Sequence, residues 1–373
     1  MLDVVALLEY PSLNGGERSL LSLADLIARG GVTLSALAPP EGPLADALVE
    51  KDIHHIPFSF QDDYGTRLPL EIVRKQLETV LRQHAPDVLH ANSLSTSRIA
   101  GPVAESLGLK SIGHLRDMFR LSGTAIEDLN RHTRLLAVSR ATLEYHRAFG
   151  LSPAKSEILY NGVDIVNFSP RSPSGFLHRE LGIPPPGRLI GSIGQIAIRK
   201  GLEVALRGFH LCANQFPESH LVLVGERFSG KQESIDFERN LRTEVRDSGL
   251  SGRIHFLGLR DDVQRILPEL TLLLHTARQE PLGRVLLEAG ACQIPIVASD
   301  VGGTREIFPL PSQALLVPAG DPAAVATALS SALDDSQYAA DLGREARIRI
   351  AAHFNSARAA SALLAHYHPL LAP

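Results

Sequence analysis

The sequence predicts an α/β protein of two domains, each built on a doubly wound parallel sheet. Short apolar runs, which fit buried strands, alternate along the chain with longer segments whose apolar residues recur at helical spacing. In the clearest case, apolar runs at 270–274 and 294–298 enclose a segment with helical spacing through Val285, Leu286 and Ala289. The length of 373 residues exceeds what one small core needs and fits two domains of ordinary size.

The first domain is predicted at residues 1–170. Its strands are expected at 2–8, 34–38, 53–56, 87–91 and 110–114. Its helices are expected where apolar residues repeat at helical spacing, at 20–27, 70–84 and 99–107. Asn161 and Gly162 form a turn by their chemistry, and the segment 170–175, rich in Pro, Ser and Gly, is the predicted domain linker.

The second domain is predicted at residues 171–354. Besides the unit at 270–308, its expected elements are strands at 188–194, 221–225 and 254–258 and a helix at 202–215. We interpret Asp261 and Asp262 as the cap of the next helix rather than as metal ligands. Pro322 takes the first position of a further helix after Asp321, and helices close the chain up to His368.

Composition and charge narrow the classes of function. Hydrophobic residues make up 44% of the chain and charged residues 21%, which is the balance of a globular protein. The formal net charge of −4 argues against nucleic acid as a partner. Residues 1–170 carry no basic excess that would attract an anionic bilayer, so we expect weak or no membrane association.

Targeting signals and cysteines point to the cytoplasm. No apolar run approaches the roughly 18 residues that a membrane span needs, and the first residues do not resemble a signal peptide. Cys212 and Cys292 form neither a metal-binding pattern nor a disulfide framework. We therefore expect a reducing, cytoplasmic location.

Two glutamates flank the segment 280–283, with Glu280 before the predicted helix and Glu288 inside it. This segment ends at a helix N-terminus, where N–H groups and the positive end of the helix dipole favour a diphosphate. Carboxylates accept hydrogen bonds well from sugar hydroxyls. Taken singly, each glutamate fits an ordinary helix-end or helix-surface carboxylate, but together with the loop they predict a site for a nucleotide sugar.

The string EPLGRVLLEAGACQIPIVASDVGGTREI at 280–307 resembles the signature of family 4 retaining glycosyltransferases, also described as glycosyltransferase group 1. Gly290 stands where the family has Met, and Gln293 stands where it has Gly. The resemblance implies the GT-B fold, in which two Rossmann-like domains face each other across a cleft. It also implies that the last helix, at about 355–373, packs back on the first domain. Further family-like strings extend the resemblance over nearly the whole chain, at 135–139, 157–164, 188–201 and 221–262.

The resemblance implies that the second domain holds the donor, a UDP- or GDP-sugar. Glu280 would then bind the hydroxyls of the transferred sugar, and Glu288 those of the ribose. Lys200 would neutralise the diphosphate. Gln195 replaces the arginine that the family has nearby, so either Arg199 supplies a second cation or this loop supplies only one. The donor-binding residues so implied are Gly15, Gly16, Arg199, Lys200, Leu259, Glu280, Pro281, Leu282, Gly283, Val285 and Glu288, with Arg260 also near the base.

The first domain would hold the acceptor. Gly15 and Gly16 let a backbone approach a ligand closely at the mouth of a parallel sheet, although a plain glycine turn is the alternative. In the family, this loop faces the donor phosphates and the acceptor. The family often has a histidine at the place of Arg116, two residues after His114 in this chain. Which of these two faces the transferred sugar stays open, and with Glu280 they are the predicted catalytic residues.

The activity implied is retaining transfer of a sugar to an acceptor hydroxyl, in the synthesis of a glycan, a glycolipid or a small glycoside. The expected partners are a nucleotide sugar and an unidentified hydroxyl acceptor. No metal and no other cofactor is expected, because helix amides and the Arg199-Lys200 pair meet the diphosphate charge. Two alternatives remain: a sugar-nucleotide epimerase of the same double fold, and a non-catalytic, nucleotide-binding partner subunit.

Overall fold

The computed structural model describes residues 1–371, so the last two residues of the helix predicted at 355–373 lie outside the described chain. The chain divides into two compact units. The first unit is Met1–Gly162 together with the C-terminal segment from Ser356, and the second unit is Val163–Asn355. The first unit ends before the boundary predicted at residue 170.

The earlier boundary has a physical reason in the backbone of residues 163–168. Val163 donates a hydrogen bond to the carbonyl of Phe354 and forms a bridge with Asn355. Arg347 donates from its guanidinium to the carbonyls of Ile165 and Phe168. These bonds tie the segment after Gly162 to the second unit, so the Pro- and Ser-rich stretch at 170–175 lies inside that unit.

In the first unit, the described residues form a seven-stranded sheet in the order β3-β2-β1-β4-β5-β6-β7. Every neighbouring pair is parallel. The order reverses between β1 and β4, which is the doubly wound, Rossmann-like arrangement. The strands are β1 Leu2–Leu7, β2 Val32–Ala38, β3 His54–Pro57, β4 Val88–Ala91, β5 Lys110–Leu115, β6 Arg134–Ala137 and β7 Ser156–Ile158.

Helices cover both faces of this sheet because each presents an apolar stripe to it. The helices are α1 Gly15–Leu21, α2 Ala24–Arg29, α3 Pro43–Glu50, α4 Leu70–His84, α5 Leu94–Leu107, α6 Gly123–Asn130, α7 Arg140–Arg147 and, from the C-terminus, α16 Ser356–Tyr367. Leu363 and Tyr367 of α16 are buried in one core with Val4 and Ala6 of β1. A 3-10 turn, His368–Leu371, follows α16.

The second unit repeats the arrangement with six strands in the order β10-β9-β8-β11-β12-β13, all parallel. Its order reverses between β8 and β11. Both sheets therefore confirm the predicted α/β class and the doubly wound topology. The strands are β8 Arg188–Ile193, β9 Ser219–Val224, β10 Ile254–Phe256, β11 Leu272–His275, β12 Ile296–Ser299 and β13 Leu315–Val317.

A large apolar core lies between the sheet and helices of the second unit. Phe209, Leu206, Leu329 and Val325 are buried there against strand residues such as Leu221. Two 3-10 turns, Ile198–Lys200 and Leu267–Glu269, precede α9 and β11. The helices are α8 Phe176–Leu181, α9 Leu202–Cys212, α10 Gln232–Asp247, α11 Val263–Ile266, α12 Arg284–Ala291, α13 Thr304–Ile307, α14 Pro322–Asp334 and α15 Ser336–His353.

Two local predictions are wrong in detail. The helix predicted through residues 20–27 divides into α1 and α2, because the hydroxyl of Ser22 donates to the carbonyl of Ser19 and competes with continuous helical bonding. Asp262 takes the cap position of α11, but its side chain makes no capping bond. Both of its oxygens instead accept from Arg260, at 2.9 Å each.

The predicted start of α14 at Pro322 is confirmed, and the Asp321 side chain caps the helix by accepting from its first-turn amides. Among residues 1–371, no helix combines the length and the apolar character that crossing a membrane requires.

Candidate active site

The second unit places Lys200 and Glu280 at the point where its strand order reverses. Lys200 follows β8, and Glu280 follows β11, which is the neighbour of β8 in the sheet. In open parallel sheets, ligands bind beyond the carboxyl ends of the strands at this reversal. The two loops are also joined by their backbones, since the amide of Arg278 donates to the carbonyl of Arg199 at 2.8 Å.

Close backbone packing fixes the loop that carries Glu280. The amide of Gly303 donates to the Glu280 carbonyl at 3.0 Å. Gly302 has a φ of 51°, and a Cβ atom on it would lie 1.9 Å from the same carbonyl oxygen. A Cβ on Gly303 would lie 2.6 Å from the carbonyl oxygen of Pro281. The glycine pair of the 280–307 string is therefore needed for the loop to lie where it does.

The Glu280 carboxylate is buried between two nitrogen donors. Lys200 Nζ lies 2.5 Å from Glu280 Oε2. His275 Nε2, from the last residue of β11, lies 2.9 Å from the same oxygen. His275 and Glu280 are 4% and 6% exposed, so the ring and the carboxylate are shielded from water.

Burial raises the pKa of Glu280, but Lys200 and His275 outweigh that effect and hold the pKa well below its usual value. The carboxylate is therefore ionised at neutral pH. Burial lowers the pKa of His275, and the nearby Lys200 charge lowers it further, although its bond to Glu280 raises it. A neutral imidazole next to an ionised carboxylate must carry its proton on Nε2, because an ionised carboxylate only accepts.

Glu288 lies inside α12 and is bound by a residue of its own helix. Arg284 Nε donates to Glu288 Oε1 at 2.6 Å, and the carboxylate is buried. Gly283 precedes the helix with a φ of 106°, and a Cβ on it would lie 2.7 Å from Leu286 Cδ1. The left-handed conformation of Gly283 thus lets the loop turn tightly into α12. The amides of the first turn of a helix have no partner within the helix.

The remaining donor-binding candidates of this unit lie on the same two loops, in the first turn of α12 or on the loop after β10. Pro281 and Val285 are partly exposed, and Leu282 is buried. Leu259 is 60% exposed, whereas Arg260 is engaged by Asp262 and by Glu180 at 2.6 Å. Arg199 Nη2 lies 3.5 Å from Gln195 Oε1, so the residue in place of the family arginine touches the neighbouring cation.

The first unit holds a second polar cluster, centred on Arg116. Its Nη1 donates to Asn161 Oδ1 at 2.7 Å, its Nη2 to Asn92 Oδ1 at 2.8 Å, and its Nε to the Asn92 carbonyl at 2.8 Å. Asn92 Nδ2 donates in turn to the carbonyl of Gly16 at 3.1 Å. A Cβ on Gly16 would lie 3.1 Å from Arg116 Cδ, whereas one on Gly15 would meet nothing within 4 Å. Gly16 thus packs against a guanidinium held at a fixed position.

His114 is a buried member of a hydrogen-bonded row in the same unit. Arg116 Nη2 donates to His114 Nδ1 at 3.0 Å, so this nitrogen carries no proton. His90 Nε2 lies 3.3 Å from the same atom and must donate to it. His90 Nδ1 then accepts the hydroxyl of Tyr367, at 2.5 Å. Burial, reinforced by Arg116, holds the pKa of His114 well below its usual value, so the ring is neutral.

The structure thus separates the predicted site residues into two sets. Glu280, Lys200, Arg199 and the loop into α12 belong to the second unit, and His114, Arg116 and the glycine pair belong to the first. Sequence reasoning missed His275, Asn92, His90 and Tyr367. His275 ends a strand, a place where polar residues often face ligands, but that position alone does not indicate its bond to Glu280.

Known structures share this double fold. HepE of Anabaena, solved in complex with UDP-glucose, is 22% identical and aligns over 100% of both chains with a TM-score of 0.86. Sucrose-phosphate synthase of Thermosynechococcus elongatus is 19% identical, with a TM-score of 0.82 over 99% of each chain. The two doubly wound units therefore define a protein of the GT-B class.

The family follows from the sequence. The model of glycosyl transferases group 1 matches residues 174–349, and that of Glycosyltransferase Family 4 matches residues 13–166. The chain belongs to the family 4, group 1 glycosyltransferases.

Two curated relatives are similar in sequence to part of this chain. A lipopolysaccharide core biosynthesis mannosyltransferase of Rhizobium leguminosarum is 31% identical over 57% of this chain and 60% of its own length. A D-inositol 3-phosphate glycosyltransferase of Jonesia denitrificans is 30% identical over 60% of this chain and 54% of its own length. The matches thus span little more than half of each relative.

Proposed function

We propose that the protein is a hexosyltransferase, which transfers a sugar from a nucleotide-sugar donor to an acceptor hydroxyl with retention of anomeric configuration. The observation that carries this proposal is the buried, ionised carboxylate of Glu280, fixed beside Lys200 at the strand-order reversal of the second unit. An acceptor of hydroxyl hydrogen bonds and a cation for phosphate lie side by side there. The mannosyltransferase and inositol 3-phosphate glycosyltransferase activities of the relatives agree with it.

In this proposal the second unit binds the donor. Lys200, Arg199 and the amides of Leu282 and Gly283 hold the diphosphate, and Glu280 accepts from the hydroxyls of the transferred sugar. Glu288 binds the ribose, for which its carboxylate has to share the Arg284 bond or exchange it for the ribose bonds. The base lies at the exposed side chain of Leu259 and near Arg260. Gly15 and Gly16 contribute from the first unit.

The reaction breaks the bond between the anomeric carbon and the diphosphate oxygen and forms a bond to the acceptor oxygen. Retention follows if the acceptor attacks on the face that the leaving group vacates, with a phosphate oxygen taking the acceptor proton. Negative charge builds on the departing diphosphate, so donors aimed at it contribute most to the rate. Lys200 and the helix amides can supply this stabilisation without a metal. Activity that EDTA abolishes and magnesium restores would contradict a metal-free reaction.

The first unit binds the acceptor in this proposal. Arg116 presents a fixed positive charge beside Gly16, and His114 presents a neutral ring next to it. A neutral histidine whose pKa is held far below 7 does not exchange a proton at neutral pH. We therefore assign His114 the role of orienting Arg116 or a substrate hydroxyl, and not that of an acid or base.

The test is incubation of the protein with UDP-glucose, GDP-mannose and ADP-glucose, with and without a panel of methyl glycosides and myo-inositol as acceptors. We expect one donor to yield an α-linked product and to release its nucleotide in an acceptor-dependent way. An epimerised donor formed without acceptor would indicate the epimerase instead. Binding of UDP or GDP in a thermal-shift assay, without turnover of any donor, would indicate the partner subunit.

We also place the reaction in the cytoplasm, at most weakly associated with a bilayer. The support is the lack of a basic excess in residues 1–170, since such charges are what an anionic membrane attracts. Cosedimentation with anionic vesicles at physiological salt tests this placement, and strong binding would overturn it.

A further inference from the structure

Glu280 is held by one of its two oxygens only. Lys200 Nζ and His275 Nε2 both contact Oε2, at 2.5 and 2.9 Å. Among residues 1–371, no side chain or amide donates a hydrogen bond to Oε1. The protein thus binds the carboxylate through Oε2 and leaves Oε1 available to another hydrogen-bond donor.

The two donors to Oε2 differ in the flexibility of their side chains and in whether the diphosphate competes for them. Lys200 reaches the carboxylate on a flexible four-carbon side chain, and the diphosphate of the donor competes for its ammonium. His275 is the last residue of the buried strand β11 and is 4% exposed. Its ring turns about only two side-chain bonds, so its Nε2–H stays in place when Lys200 moves toward phosphate.

The charged groups around the ring fix its protonation. Lys200 and Arg199 face it from the turn after β8, and Glu280 faces it from its own loop. The two cations and the burial disfavour an imidazolium, and the carboxylate requires a proton on Nε2. His275 is therefore neutral over the physiological pH range, and its Nε2–H donates to Glu280.

We propose that His275 is a positioning residue, which holds Glu280 through Oε2 so that Oε1 faces the hydroxyls of the transferred sugar. This inference rests on the proposed function, because it assigns the sugar to Glu280. It goes beyond that function because it gives the carboxylate a second hydrogen-bond donor, His275, which still holds it when Lys200 binds phosphate. A carboxylate misplaced by about 1 Å is enough to slow a reaction by about 10²-fold.

Two substitutions separate positioning from mere packing. His275→Gln keeps an N–H donor near the place of Nε2, whereas His275→Leu fills the space without a donor. The matched control is His220→Gln, at the opposite end of the same sheet, where a half-buried histidine pairs with His255 at 3.0 Å. Turnover of UDP-glucose and GDP-mannose and affinity for free UDP and GDP are measured for all three.

We expect His275→Leu to lower kcat by about 10²-fold and His275→Gln to restore it to within about tenfold of the wild type. Affinity for the free nucleotide should change less than about threefold, because it has no sugar to contact. The acid limb of the kcat/KM profile of His275→Leu should move to higher pH, since the lost hydrogen bond no longer lowers the pKa of Glu280. Equal kcat in His275→Leu and the control would overturn the inference and leave the proposed function intact.

A second measurement does not depend on turnover. Nitrogen-15 NMR of histidine-labelled protein reports the ring tautomer, and the His275 signal is assigned by its loss in His275→Gln. We expect a neutral ring with the proton on Nε2, unchanged between about pH 5.5 and 8. A proton on Nδ1, or titration near pH 6.5, would overturn the positioning role. Absence of turnover in the wild type would contradict the proposed function alone, and the tautomer would then decide the role of His275.

Discussion

At the scale of single residues, two carboxylates of the second unit have different surroundings. Glu280 is ionised and shares one oxygen between Lys200 and His275. Glu288 is bound by Arg284, four residues earlier in the same helix. Under the proposed function, the first arrangement leaves an oxygen for the sugar that reacts, and the second places a carboxylate on the helix assigned to the nucleotide. Their kinetic roles should differ accordingly.

Glu280→Gln should lower kcat by about 10²-fold, because the sugar loses the carboxylate that positions it. Glu288→Gln should raise KM for the donor more than it lowers kcat, since ribose hydroxyls do not react and their binding is uniform. Donor titrations of both variants make the comparison. Loss of nucleotide affinity in Glu280→Gln, together with loss of kcat alone in Glu288→Gln, would reverse the two assignments.

At the scale of elements, loops are held in place by contacts that only particular residues allow. The loop carrying Glu280 lies against Gly302 and Gly303, after β12. The C-terminal helix α16 contributes Tyr367, whose hydroxyl begins the row of bonds that ends at His114 and Arg116. Each contact joins elements that are far apart in the chain.

Gly302→Ala should displace the Glu280 loop, because its Cβ would lie 1.9 Å from the Glu280 carbonyl oxygen and the φ of 51° disfavours alanine. We expect a loss of kcat of the order of 10-fold to 10²-fold together with lower stability. Gly252→Ala is the matched control, since a Cβ there meets nothing within 4 Å. If both alanine variants kept wild-type kcat, the glycine pair would not hold the loop.

Tyr367→Phe should leave the buried His90 Nδ1 without its donor. The free energy of unfolding should fall by about 1–3 kcal/mol, the cost of an unsatisfied buried polar group. Urea unfolding of Tyr367→Phe, His90→Leu and the double variant forms a cycle that isolates the pair. If the losses of unfolding free energy in the two single variants simply add in the double variant, the hydroxyl and the ring do not interact as described.

The sequence predicts the elements better than the contacts between them. Lys200 and Glu280 were predictable because each follows a strand within a recognisable string, and the alternation of strands and helices places both at a sheet edge. The bond from His275 to Glu280 was not predictable, since a histidine ending an apolar strand fits a buried core position equally well. Tyr367 and His90 are 277 residues apart, and no local pattern joins them.

At the scale of the whole molecule, buried neutral histidines link stability to pH. Burial lowers the pKa of His90 to about 3 and that of His132 to about 4. Both values lie below the unfolded pKa of about 6.5. The unfolded chain therefore binds more protons below that pH, and stability is full above about pH 6.5 and falls as the pH drops toward 4.

We expect each of these histidines to cost about 1.4 kcal/mol of unfolding free energy at about pH 5.5, one unit below the unfolded pKa. Urea unfolding at pH 7.5 and 5.5 measures the total loss. His132→Gln should reduce the difference between the two pH values by about that amount, whatever its effect at pH 7.5. An unchanged difference would mean that His132 is charged in the folded protein.

The proposed function requires that the chain transfer sugar through the site around Glu280, with retention of anomeric configuration. The most direct measurement is NMR of the product formed from UDP-glucose or GDP-mannose carrying carbon-13 at the anomeric carbon, with the wild type and Glu280→Gln side by side. We predict an α-linked glycoside from the wild type, at a rate about 10²-fold above that of the variant, while free UDP or GDP binds both equally. A β-linked product would contradict retention, and equal rates from the two proteins would contradict the role of Glu280.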